Sequence, residues 1–167
     1  ARAGPGFRGC GMTTIAWDGK TLAADRGCIT GLLANVEDKI WKIKVMRSHW
    51  TLTGIQPGSP AYVVGAGHSF QIKRYARWLE RADDDDLPGV DESESLIVTK
   101  RAVLHIDGAG LGIPVLRRPI ALGSGGEVAL GALLAGATAR RAVDLVAKNV
   151  APSSAFGGIQ VVERAWL

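Results

Sequence analysis

Residues 13–25, TTIAWDGKTLAAD, decide the fold. Threonine, isoleucine and tryptophan suit a pleated, half-buried backbone, so 13–17 predicts a strand and 21–24 a second short one. Asp18-Gly19 between them is a hairpin signal, because glycine enters positive φ freely and aspartate bonds nearby backbone amides. The hairpin leaves Asp25 just where the return strand ends.

Working outward, residues 29–36 form an apolar stretch broken by Gly31 and Asn35. In Lys39-Ile40-Trp41-Lys42-Ile43-Lys44-Val45, apolar and cationic side chains alternate with near period two, the mark of a half-buried strand. Residues 50–52 read as its partner, ending at Gly54. From 60 to 81 the spacing of Tyr62, Ala66, Phe70, Ile72, Tyr75, Trp78 and Leu79 predicts a helix, weakened in its first half by Gly65 and Gly67. The acidic run at 83–86, followed by Leu87-Pro88-Gly89 and then by Asp91, Glu92 and Glu94, reads as a solvated loop. Residues 96–99 and 102–106 predict a hairpin, and 113–122 a strand interrupted by Pro114 and Pro119. Gly123-Ser124-Gly125-Gly126 then opens a long alanine-rich helix reaching about 149, and 159–163 is the last strand. Strand groups separated by helices, without one-by-one alternation, predict an α+β layered domain over 13–167 rather than a doubly wound sheet.

The 167 residues are 47% apolar, enough for one domain with a sizeable core. No apolar run approaches the ~20 residues that cross a bilayer, so no membrane partner is expected. Residues 1–12, ARAGPGFRGCGM, read as a leader, a propeptide or an expression remnant. Two cysteines, Cys10 and Cys28, are too few for a disulfide scaffold; they read most simply as free thiols in a cytoplasmic protein, the alternative being that the two pair in oxidising conditions and pin residues 1–12 in place. Lysine plus arginine exceed aspartate plus glutamate by 20 to 16, a net charge of +4, but the positive residues form no stripe, so nucleic acid is not an expected partner. His49, His68 and His105 lack metal-ligand spacing, and no metal is expected.

The residues that could carry chemistry are few. A threonine hydroxyl is a weak nucleophile unless a base sits beside it. If the chain were cut before Thr13, the new α-amine, with a pKa of about 7.7–8.0, would supply one. Taken alone, Thr13 and Thr14 are equally two β-branched residues filling a strand. Asp25 is either a turn carboxylate or the partner of a lysine, and Lys39, opening its strand, is either a surface cation or that lysine. Gly123-Ser124-Gly125-Gly126 supplies tight backbone and a hydroxyl at a helix start, but is equally a plain turn with Ser124 as N-cap. It matches neither a phosphate-binding loop nor the GxSxG elbow, since Glu127 follows the glycines and Leu122 lies two residues before Ser124.

In order and spacing, TTIAWDGKTLAAD at 13–25, EDKIWKI at 37–43, LTG at 52–54 and LGSGGEVALGALLAGATARRAVDLVAK at 122–148 resemble the proteasome β-subunit and bacterial HslV peptidase family of N-terminal nucleophile hydrolases. The resemblance spans nearly everything from Thr13 onward. It implies a four-layer αββα sandwich of two antiparallel sheets flanked by helices. It also implies a threonine-type endopeptidase in which Thr13, exposed after removal of 1–12, is the nucleophile beside Asp25, Lys39 and Ser124. By the same resemblance the Gly54 amide forms the oxyanion hole, Gly123, Gly125 and Gly126 form the supporting loop, and Cys28, Thr51 and Ile55 lie near a specificity pocket. No cofactor is implied. The implied partners are a peptide or unfolded-protein substrate, further copies in stacked rings of six or seven, and an ATP-dependent unfoldase of unknown identity. A catalytically inactive or latent ring subunit is the alternative. The chain departs from the family pattern in three places: 152–158 (PSSAFGG) lacks a carboxylate and has Phe156 where a hydroxyl is usual, Met12 precedes the nucleophile, and Ile55 follows Gly54.

Overall fold

The computed structural model describes residues 13–30, 33–46, 55–81, 86–115, 119–150 and 156–167. The expected hairpin is β1 (Ile15–Trp17) and β2 (Thr21–Asp25), paired antiparallel with Ile15 opposite Ala24. Asp18 fastens its turn: Oδ1 accepts the amides of Lys20 and Thr21 at 2.9 and 2.8 Å. β3 (Gly27–Thr30) and β4 (Leu33–Val36) form a separate two-stranded ribbon. β10 (Ile120–Leu122) and β11 (Ile159–Glu163) flank the hairpin, giving a four-stranded sheet ordered β10-β1-β2-β11.

The second sheet holds five strands in sequence order: β5 (Ile40–Val45), β6 (Ser59–Ala66), β7 (Glu94–Thr99), β8 (Val103–Ile106) and β9 (Gly112–Pro114). Pairing within each sheet is antiparallel. The two sheets stack, and the strand period of two sorts their side chains. Ile15, Trp17, Leu22 and Ala24 of the first sheet meet Tyr62, Val64, Leu96 and Val98 of the second in the central layer. The alternate residues Ala16 and Ala23 turn outward against the helices α2 (Gly126–Leu134) and α3 (Ala139–Asn149). On the other side, Ala61, Val63, Ile97 and Leu104 pack against Ile72, Tyr75 and Leu79 of α1 (Ser69–Glu80). The result is the expected order of helices, sheet, sheet, helix.

Two predicted helices take different forms. Residues 60–66 belong to β6, not to a helix; this strand is buried on both faces, so its apolar run carries no alternation, and periodicity alone cannot separate such a strand from a helix. Gly65 belongs there for space: a Cβ would meet Ser95 and Ile72 side chains at 2.5–2.9 Å. The long helix after the glycine turn is instead two, broken at Ala135-Gly136, with Thr138 capping α3 by accepting the Arg141 amide. The 113–122 strand is likewise two strands, β9 and β10, in different sheets. The strand expected at 50–52 lies outside the described residues, and β6 is the partner of β5. Among the described residues no helix is long and apolar enough to cross a membrane, and no cluster of potential metal ligands occurs.

Candidate active site

At the start of β1, Thr13 and Thr14 are 4% and 1% exposed. Thr14 and Asp25 lock the ends of the hairpin in both directions: the Asp25 amide donates to the Thr14 carbonyl at 3.1 Å, and the Thr14 amide donates to the Asp25 carboxylate. That second bond holds the carboxylate at the foot of β1, where Lys39 reaches it from the start of β5. The Lys39 ammonium donates to Asp25 Oδ2 at 2.8 Å, to the Gly27 carbonyl at 2.8 Å and to Thr13 Oγ1 at 3.0 Å. An ammonium has three N–H donors, so these three acceptors saturate it.

Both members of the ion pair are buried, Lys39 at 5% and Asp25 at 0% side-chain exposure. Burial pushes the Asp25 carboxyl above its ordinary 3.8, opposed by the Lys39 charge and hydrogen bond and by the Thr14 amide. Taking two charges out of water is expensive, and such a pair persists when hydrogen bonds satisfy it on all sides. This arrangement has a chemical consequence. Lys39 presents donors to the Thr13 hydroxyl, so it stabilises negative charge developing on Oγ1, but a saturated ammonium does not accept the hydroxyl proton.

The glycine turn closes the site from the other side. Gly123 has φ of +83°, and a Cβ there would collide with the Thr13 carbonyl; one on Gly125 would collide with the Thr14 side chain. Gly125 donates to the Thr13 carbonyl at 3.4 Å, and the Gly123 amide donates to Glu94 Oε1 at 2.7 Å. Gly126 is the first residue of α2, and Gly125, not Ser124, is its N-cap. Ser124 is exposed at the tip of the turn, with no side-chain hydrogen bond among the described residues. Glu94, at the start of β7, thus ties the second sheet to the turn that touches Thr13. His105, 3.8 Å away, and the Gly123 amide hold its carboxyl below its usual value. The acidic run around it predicts a solvated loop for Glu94, but it opens β7 and bonds the glycine turn instead, a role that appears only once the sheets are stacked.

The structure therefore brings Thr13, Asp25, Lys39, Gly123 and Gly125 together. Cys28 follows the Gly27 carbonyl used by Lys39, and it is disulfide-bonded rather than a free thiol; Cys10, the other cysteine of the sequence, lies outside the described residues. Ile55 is buried with the α1 core residues Ile72, Tyr75 and Leu79. Gly54 and Thr51 lie outside the described residues. A small recess beside Thr13 is lined by Lys39, Trp41, Gly65, Ser69 and Ile72.

No protein-family model matches the chain, and no curated protein matches it. Solved structures do. BPH of Thiobacillus denitrificans, solved in complex with epoxomicin, is 16% identical with a TM-score of 0.62, over 91% of this chain and 97% of that one. The Anbu complex of Pseudomonas aeruginosa, solved as a helical assembly, is 12% identical with a TM-score of 0.63, over 90% of this chain and 80% of that one. Eukaryotic HslV from Trypanosoma brucei is 19% identical with a TM-score of 0.52, over 90% and 98%. The chain shares the fold of these proteins, an αββα sandwich.

Proposed function

We propose that this chain is the latent form of a threonine peptidase subunit, activated when the Met12–Thr13 bond is cut. The observation that carries the reading is the Lys39 ammonium, 3.0 Å from Thr13 Oγ1 and 2.8 Å from Asp25. Lys39 supplies charge but no base, and among the described residues no other base bonds the hydroxyl. The Thr13 nitrogen is a base only as a free amine. While it is acylated by Met12, the site has its electrostatics and lacks its proton acceptor.

Once freed, the amine takes the hydroxyl proton as Oγ1 attacks the scissile carbonyl. Lys39 steadies the oxygen until the bond forms, and Asp25 holds Lys39. The tetrahedral intermediate expels the amine-side product, which leaves with the proton carried by the α-amine. Water, deprotonated by the same amine, then hydrolyses the Thr13 ester. The Gly54 amide is the proposed oxyanion donor, and Ser124 the proposed support for the amine after a turn adjustment. Cys28 and Thr51 remain the proposed specificity residues, whereas Ile55 is buried in the α1 core and does not line the recess beside Thr13; the substrate class is peptide or unfolded protein. No step calls for a metal or an organic cofactor.

Assembly with other copies is part of this proposal. Stacked rings of six or seven are proposed, with a helical array as in the Anbu complex the other arrangement electron microscopy would reveal. An ATP-dependent unfoldase partner stays part of this proposal. So does a cytoplasmic location, against which the Cys28 disulfide argues.

A permanently inactive subunit is the second reading, favoured by the exposed, unbonded Ser124 and by the absence of a carboxylate in 152–158. Epoxomicin separates the two. Protein beginning at Thr13 should gain the mass of one epoxomicin and degrade β-casein; the full chain with residues 1–12 attached, and the Thr13→Ala variant, should do neither. A chain beginning at Thr13 that stays unlabelled and inert when assembled would decide for the inactive subunit. Equal activity with 1–12 still attached would overturn the nucleophile assignment.

A further inference from the structure

Lys39 immediately precedes β5, which among the described residues pairs with β6 alone, so its other edge takes acceptors and donors from elsewhere. One side chain supplies them. Gln160 Oε1 accepts both the Lys39 amide and the Ile40 amide at 2.9 Å, and Gln160 Nε2 donates to the Ile40 carbonyl at 2.8 Å. The carboxamide thus pairs with Ile40 as a neighbouring strand would. It reaches across from the first sheet, where Gln160 lies on β11 opposite Ala24, with Ile159 opposite Asp25. The strand that flanks the Asp25 backbone therefore also holds the Lys39 backbone.

Other contacts near this point act on neighbours of Lys39. The Glu37 amide donates to the Arg26 carbonyl at 2.9 Å, Arg26 pairs with Asp38 at 2.8 Å, and Lys73 pairs with Glu37. Gln160 alone among these groups bonds the Lys39 backbone itself. We infer that Gln160 is a positioning residue that sets Lys39 at bonding distance from the Thr13 hydroxyl. The inference rests on the reading of Thr13 as nucleophile and deepens it. A lysine side chain is long and flexible, so anchoring its Cα leaves the three acceptors around Nζ to fix the rest. Lose the anchor, and the ammonium still finds Asp25, but its distance to Oγ1 is no longer set. A positive charge held near the freed Thr13 amine also disfavours protonation of that amine, because like charges repel. Displacing Lys39 therefore raises the pH at which the amine becomes a base.

The test uses the protein with residues 1–12 released and follows the rate of epoxomicin adduct formation by intact mass from pH 5 to 9. Gln160→Met keeps the side chain's length and removes its three hydrogen bonds. It should slow adduct formation roughly 10- to 100-fold, the scale of a small misplacement of a reacting group, and shift the half-maximal pH upward. A merely structural residue would lower the thermal midpoint and leave the half-maximal pH of the folded fraction unmoved. If Gln160→Met does not fold, Gln160→Glu keeps the shared acceptor oxygen, and its rate should fall below that of the parent. Parental rate and half-maximal pH in either folded variant would overturn the inference. Run in parallel, Thr13→Ala tells the failures apart. An adduct on Thr13→Ala, or none on the parent, removes the nucleophile reading and this inference with it. A silent Thr13→Ala beside a parental Gln160 variant removes only the inference.

Discussion

Two lysine–aspartate pairs in this chain have nearly the same geometry, and they teach different things. Lys39 meets Asp25 at 2.8 Å between the sheets, with side chains 5% and 0% exposed; Lys148 meets Asp144 at 2.9 Å on α3, with side chains 66% and 26% exposed. Distance does not distinguish them. Surroundings do: the α3 pair is an i,i+4 contact in water, screened and replaceable, whereas the buried pair has lost its hydration and depends on Thr14, Gly27 and Thr13 for the rest of its bonds. Natural sequences seldom keep a buried charge pair for stability, because an apolar pair of similar volume does as well or better. Its presence beside a threonine hydroxyl points to chemistry as the reason it is there.

The largest effect should come from breaking the buried pair on one side. Lys39→Met leaves the Asp25 carboxylate without its counter-charge and should cost about 3–5 kcal/mol in urea denaturation, with loss of epoxomicin labelling. Replacing both, as Asp25→Leu with Lys39→Met, should recover most of that stability and none of the labelling. A double variant as unstable as the single one would mean that the pair is there for the fold.

The same double variant gives a pH test. The folded Asp25 carboxyl sits above 3.8, so its favourable contribution to stability is present below that value and is lost as pH rises through the folded pKa. The stability of the double variant relative to the parent should therefore be lower at pH 4 than at pH 7, and urea midpoints at the two pH values would measure the change. A smaller effect belongs to Glu94, whose folded carboxyl lies below its ordinary 4.5. Its contribution is present above 4.5 and is lost as pH falls through the folded value. Because the Glu94 side chain is 42% exposed, Glu94→Gln should cost under about 1 kcal/mol at pH 7 by urea denaturation, while slowing epoxomicin labelling through the Gly123 turn. Smallest of all, Asp144→Ala should change stability by no more than about 0.5 kcal/mol and leave labelling untouched.

How much of this could be read beforehand follows from the range of the interactions. The Asp18-Gly19 turn, the alternation of β5 and the last strand depend on near neighbours, and all were legible. Thr13, Asp25 and Lys39 were legible only as a set, through their order and the glycine turn that accompanies them. Taken singly, each had an ordinary explanation. β6 was not legible, because a strand covered on both faces loses the period that would announce it, and Gly65 looked like a helix defect rather than a point of close packing. Gln160 left no trace, and Glu94 looked like the end of an acidic loop rather than the start of β7. A polar residue in an alternating strand looks solvent-facing until a second sheet is laid over it, and their partners lie 120 and 29 residues away.

That separation bears on when the site comes into being. Thr13, Asp25 and Lys39 are all made early, and a ribosome that has reached the end of α3 has long since emitted them. It has not yet made β11, the strand that pairs with β2 residue for residue from Ile159 opposite Asp25 to Glu163 opposite Thr21. Until that strand docks, β2 has an open edge, and pairing strands so far apart in sequence is slower than forming local contacts. A nascent chain thus carries Thr13, Asp25 and Lys39 before the strand that completes the sheet around them exists, and translation order delays their meeting in one place until the last strand is made.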